Sequence, residues 1–154
     1  MTRVLLLARV RVDMSEPITI LYCHCAYAQV VPKDVKEAVL RRLSDSSIAF
    51  EAVADLCEMS ARQDPALQRL AQGGCLKIAA CYPRAVKWLF AAAQAPLSAE
   101  RTQVLNMRVD SADAVATALL NDSFSPNLPD GKAEPAATSP SSSSGSPILP
   151  ASTL

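Results

Sequence analysis

Three short apolar runs in this chain stop at or near a cysteine, and each is followed by a segment with helical spacing. Residues 18–22 read Ile-Thr-Ile-Leu-Tyr and lead into Cys23; residues 48–53 end a few positions before Cys57; residues 76–80 end at Cys81. A fourth run covers residues 102–107. Strands that alternate with helices of this length imply βαβ units and a parallel sheet covered on both faces. The expected fold is therefore α/β, a three-layer Rossmann-like or flavodoxin-like domain with a short parallel sheet of about four strands.

The helical segments carry their own start and stop signals. Asp34 and Glu37 make a capping-box-like pair, and Val35, Ala38, Val39 and Leu43 follow at helical spacing. Asp64 is a good N-cap before Pro65, Leu67, Leu70 and Ala71 supply an inward stripe, and Gly73-Gly74 stops the helix. Pro83 opens a helix in which Val86, Leu89, Phe90 and Ala93 share a face. The last helix spans residues 111–121, with Val115, Ala118 and Leu119 inward. Lys77 is the one charged residue in the otherwise apolar third strand.

Composition sets the organisation around this domain. Half of the 154 residues are hydrophobic, enough for a core without disulfides. Residues 17–122 form the expected domain, and residues 1–16 an N-terminal extension whose order the pattern leaves open. Residues 123–154 are crowded with Ser, Pro and Ala and bury too little to repay ordering entropy, so a disordered tail is expected. Fifteen basic and fifteen acidic residues cancel, which gives no basic face for nucleic acid. Arg9 and Arg11 interrupt the apolar Val4–Ala8 run, which does not read as a targeting signal. No stretch approaches the roughly 20 apolar residues of a spanning helix. No membrane insertion and a cytoplasmic location are the expectations. Five cysteines, an odd number, argue against a fully paired disulfide framework.

In a parallel sheet, residues just after each strand gather on one edge, where open α/β sheets place their ligands. Cys23 and Cys25 follow the first strand, Cys57 the second and Cys81 the third, so four thiols distant in sequence become neighbours in space. Helix N-termini facing this edge favour thiolate over thiol. Four thiolates suit an iron–sulfur cluster and equally a structural zinc ion. Each cysteine taken singly also fits as a small buried hydrophobe. Cys75 begins the third strand, at the opposite edge, and reads as structural.

Other residues near this edge invite smaller roles. His24 lies between two of the thiols, and imidazole ligates iron in some clusters, although its side chain is expected to point away from them. Arg84 could donate to a cluster sulfur, dock a partner, or stand solvated in a first helical turn. Tyr22, Tyr27 and Tyr82 either shield the site or simply pack. Trp88 is expected to pack in the core, with partner contact as the alternative. The single histidine and the lack of GxGxxG, P-loop or Ser-His-Asp patterns leave no catalytic residue to name.

Taken together, Cys23-His24-Cys25, Cys57, Ala79-Ala80-Cys81-Tyr82-Pro83-Arg84 with Leu89-Phe90, and Asn106-Met107-Arg108 resemble the N-terminal iron–sulfur domain of the flavin-carrying heterodisulfide reductase polypeptide. The match runs from about Ile18 to Arg108. In that family an α/β domain carries a cysteine-bound iron–sulfur cluster and relays electrons within a flavin-containing complex. The resemblance implies an iron–sulfur cluster at Cys23, Cys25, Cys57 and Cys81, with 4Fe–4S the expected type; the thiol count alone leaves a 2Fe–2S cluster or zinc as alternatives, and Arg84 and His24 are the candidates for a place beside it. A more distant resemblance is to the small iron–sulfur subunit of hydrogenases that do not reduce the deazaflavin coenzyme, through Arg62-Gln63-Asp64-Pro65 and Cys81-x-Pro83. That second family carries CxxC where this chain has CxC, and a further cysteine where Arg84-Ala85-Val86 stands here. This chain also lacks a flavin domain and ferredoxin-like motifs.

The function expected on these grounds is an electron-transfer module serving a flavin-containing or hydrogenase-type oxidoreductase. A zinc-stabilised or redox-sensing interaction domain is the alternative from another class, and a dithiol oxidoreductase using Cys23 and Cys25 is a third.

Overall fold

The computed structural model describes residues 16–131. Four strands, β1 (Thr19–Cys23), β2 (Glu51–Val53), β3 (Leu76–Ala80) and β4 (Thr102–Asn106), form one sheet in the order β2-β1-β3-β4. Every pair is parallel, with Cys23 beside Val53, Leu21 beside Ile78, and Ile78 beside Val104. Five helices complete the α/β fold: α1 (Lys33–Asp45), α2 (Leu56–Ala61), α3 (Pro65–Gln72), α4 (Pro83–Ala92) and α5 (Ala112–Leu120). Helix α1 packs beside α5, and α2 and α3 pack beside α4. The crossover from β1 to β2 runs in the opposite direction to those from β2 to β3 and from β3 to β4, so right-handed connections put α1 on one face and α2, α3 and α4 on the other, and α5 joins α1. The chain order reverses between β1 and β3, so the crevice of a doubly wound sheet opens at their carboxyl ends.

The central strands are apolar because both of their faces are covered. All five residues of β3 are buried, and Leu21, Ile78, Val39, Leu43, Leu67, Phe90 and Leu119 lie in one continuous core. Lys77 belongs to that buried strand and has no exposed surface. Its ammonium donates to the carbonyls of Ala118 (2.8 Å) and Asn121 (2.7 Å), satisfying the carboxyl end of α5, which has no basic residue of its own.

Several expected elements need adjustment. Strand β2 is confined to Glu51–Val53, and Ile48, expected within it, is exposed. The Asp34/Glu37 capping box does not form: Pro32 holds the N-cap position of α1 with no side-chain cap, and Asp34 lies within the first turn. Helix α2 is an addition to the expected elements. It starts where Asp55 accepts the N–H groups of Cys57 and Glu58. Six residues are too few for apolar periodicity, although Asp55 with Glu58 three positions on is itself a capping pattern.

The largest correction concerns the beginning of the expected tail. Asn127 pairs with Val104 on the outer edge of β4, its amide donating to the carbonyl and accepting the N–H at 2.7 Å each. Ser125 N–H donates to the Gln103 side chain, Leu128 is buried, and Lys87 donates to the carbonyls of Pro129 and Gly131. One side-chain amide thus supplies part of the pairing that a neighbouring strand would give an open edge. The rest of that tail, 132–154, and residues 1–15 of the expected N-terminal extension lie outside the described residues. Among the described residues no helix is long and apolar enough to cross a membrane.

Candidate functional site

Strand β1 and the loop that follows it carry the first two thiols. Cys23 is the last residue of β1, buried, and its Sγ accepts the N–H of Leu56 at 3.4 Å. The chain stays beside β2 for a few residues, through His24 N–H to Val53 O and Ala26 N–H to Ala54 O, both 2.9 Å. Between these bonds Cys25 adopts φ 51°, a left-handed conformation that is costly for a residue with a side chain. The loop closes on it: Gln29 N–H donates to its carbonyl (3.2 Å) and Val30 N–H to its Sγ (3.3 Å). Lys36, buried in α1, reaches the same carbonyl at 3.4 Å. Non-glycine residues held this way concentrate at functional sites, where the surrounding bonds offset the strain.

The other two thiols come from the neighbouring connections. Cys57 is the second residue of α2 and is exposed; Cys81 directly follows β3 and is half-buried. Both line an open cleft of about 1100 Å³, together with Tyr82, Arg84, Trp88 and Pro129. Trp88 is 41% exposed, so it belongs to this cleft wall rather than to the core. Arg108 stacks its guanidinium over the Tyr82 ring at 4.8 Å from the centroid.

The thiols sense one another. Burial pushes the Cys23 thiol up to about 11, with Cys25 adding to the rise against the N–H donors at its sulfur. Burial also pushes Cys57 up to about 11, and Asp55, Cys81 and Cys25 each add repulsion. Cys81 rises for the same first reason, again with a contribution from Cys25, while Arg108 pulls it down. Cys25 is thus the common electrostatic neighbour of the other three. Desolvation favours the thiol at Cys23, Cys57 and Cys81, opposite in direction to the pull toward thiolate expected of helix N-termini at this edge.

The remaining expected residues divide clearly. His24 turns to the opposite side of β1, where its Nδ1 meets the Tyr22 hydroxyl at 3.1 Å, and it lines a separate pocket beside Lys33 and Lys36. Tyr22 is fully buried and donates its hydroxyl to Lys36 O at 2.7 Å; burial raises its phenol far above the ordinary value. Tyr27 and Tyr82 are exposed. Cys75 lies at the amino end of β3, where its carbonyl accepts Thr19 N–H at 2.8 Å.

Asp55 is the residue whose importance the sequence pattern did not suggest. It is 1% exposed, and its two carboxylate oxygens divide between two segments. Oδ1 accepts the N–H groups of Cys57 (2.8 Å) and Glu58 (3.2 Å), and Oδ2 those of Tyr27 and Ala28, both at 3.0 Å. Burial works to raise this carboxyl, and the four N–H donors outweigh it, holding the group below the usual carboxylate range.

Among the described residues, no three His, Cys, Asp or Glu side chains are grouped so as to grip one metal ion. Zinc holds its sulfurs about 2.3 Å from a single centre and draws the ligands tightly together. An iron–sulfur cluster distributes four thiolates over several irons and takes soft donors alone. Four cysteines stand at one sheet edge, two of them receiving backbone N–H groups at sulfur, a donor set that either chemistry could use. Comparison with protein-family models, with curated protein sequences and with solved structures finds no match to this chain.

Proposed function

We propose that this chain is an iron–sulfur electron-transfer module in which Cys23, Cys25, Cys57 and Cys81 hold one cluster, of the 4Fe–4S type. The observation that carries the reading is the placement of the four cysteines, Cys23 and Cys25 at the end of β1 and Cys57 and Cys81 in the connections after β2 and β3, at one carboxyl edge of the sheet. The similarity of Cys23-x-Cys25, Cys57 and Ala-Ala-Cys81-x-Pro83-Arg84 to the heterodisulfide reductase iron–sulfur domain supports the same reading. A bound cluster would supply a centre that accepts and releases one electron at a time.

The chain's own residues do the rest. Leu56 N–H and Val30 N–H donate to the sulfurs of Cys23 and Cys25, a contact that strengthens when the sulfur is anionic. The buried side of the site excludes water, and the cleft at Cys57 and Cys81 leaves a route for a partner to approach. Ligation removes the thiol protons, so loading releases protons and is favoured as pH rises. Arg84 lines the cleft, and Arg108 stacks on Tyr82, which lines it too; both place positive charge near a centre that gains an electron. The partner in this reading is a flavin-containing, heterodisulfide reductase-like or hydrogenase-like oxidoreductase, in the cytoplasm.

Anaerobic reconstitution with iron and sulfide, followed by metal and sulfide analysis, tests the assignment. Uptake of both, with broad visible absorbance, is the expected result. Stoichiometric zinc uptake without iron would replace it with the interaction-domain reading.

A further inference from the structure

We propose that Asp55 is the positioning residue of the cysteine site, splinting the Cys25 loop to helix α2 through one carboxylate. The splint is a property of the chain itself, and only the iron readout of its test rests on the iron–sulfur reading above.

Cys25 and Cys57 belong to segments separated by a whole βα unit, and no disulfide joins them. Loop residues 24–32 contain two left-handed non-glycine positions, Cys25 and Gln29, so the loop needs external bonds to hold its shape. Asp55 provides two of them, at Tyr27 and Ala28, and with its other oxygen fixes the first turn of α2 immediately at Cys57. The same carboxylate therefore sets where both thiols stand. Nothing about a helix cap requires the Oδ2 half of this arrangement, since Oδ1 alone caps α2.

Asp55→Asn separates cap from splint. Asparagine is as good an N-cap as aspartate, so its oxygen can keep Cys57 and Glu58 while its amide turns a donor toward Tyr27 and Ala28. Asp55→Ser, which caps but is too short to reach the loop, is the second variant. In metal-free protein, hydrogen exchange at the Tyr27 and Ala28 amides should accelerate at least tenfold in both variants, with exchange in β3 unchanged. After anaerobic reconstitution, iron content should fall several-fold. That fall should track the loop-amide exchange while exchange in β3 stays at the wild-type rate, a pattern that loosened packing alone does not dictate. Wild-type exchange at both amides, or unaltered iron content, would overturn the proposal. Unfolding of both variants would do so too, because Asp55 would then be a general anchor of the fold. If the wild-type protein takes up no iron, the electron-transfer reading falls, and the exchange rates alone decide the splint.

Discussion

Asp55 Oδ1 accepts the backbone N–H of Cys57 at 2.8 Å, so the cap of α2 and the position of a candidate ligand are one interaction. The other oxygen reaches across to the loop of Cys25. A parallel sheet brings strand ends to one edge but leaves the loops beyond them free to diverge. Side-chain to backbone bonds of this kind fix the final few ångströms.

Lys77 anchors the opposite edge of the same central sheet. Lys77→Ala should lower unfolding free energy by about 2–4 kcal/mol, because the part-buried carbonyls at the end of α5 lose their donor and the fully buried stem leaves a void. Lys77→Met keeps the stem, so its loss should be smaller, about 1–2 kcal/mol. Urea unfolding of the three proteins measures both. Equal stability of Lys77→Ala and wild type would remove the capping role.

Glu51 supplies a pH-dependent term at the β2 edge. Paired hydrogen bonds from Arg69, at 2.8 Å each, hold its carboxyl below the ordinary value of 4.5. Its contribution is therefore present above 4.5 and lost as pH falls through the lower folded value. Glu51→Gln should be close to wild type in acid and slightly less stable at neutral pH, the effect being small because Arg69 is exposed. Melting temperatures from pH 3 to 7 check the direction. A gap that widens toward acid would contradict it.

The segment after α5 contributes to the fold as far as Gly131. A chain ending at Asp122 should be about 3 kcal/mol less stable than one ending at Gly131, from loss of buried Leu128 and the two Asn127 bonds on β4. Denaturant titration of the two truncations gives the difference, and coincident curves would show that this packing is not stabilising.

What was legible in the sequence follows the range of the interactions involved. Strand β3 matches its expected span residue for residue, because a fully buried run bounded by Gly73-Gly74 and Cys81 admits little else. Helix α3 begins at the Asp64-Pro65 signal and ends at Gly73 for equally local reasons. The segment 123–131 has the composition of a tail, while Asn127 bonds to β4 and Leu128 is buried in the core, contacts with residues distant in sequence that composition does not register. Placing the cysteines on one edge needed only the strand pattern. The left-handed turn at Cys25 and the reach of Asp55 were not legible, since cysteine has no preference for positive φ and Asp55 joins residues 27 positions apart.

The most direct measurement on the central claim is a dithionite titration of the reconstituted protein, followed by visible absorbance and electron paramagnetic resonance, on wild type, Cys81→Ser and Cys75→Ser. Wild type should hold iron and sulfide, bleach on reduction and recover on reoxidation without losing metal. Cys81→Ser should lose most of that signal, because a serine oxygen is a poor substitute for a soft thiolate. Cys75→Ser should behave as wild type, since that residue lies at the other edge of the sheet. A wild-type protein that binds zinc but no iron, with no bleachable band, would contradict the account, as would a Cys75→Ser variant that loses the cluster while Cys81→Ser retains it.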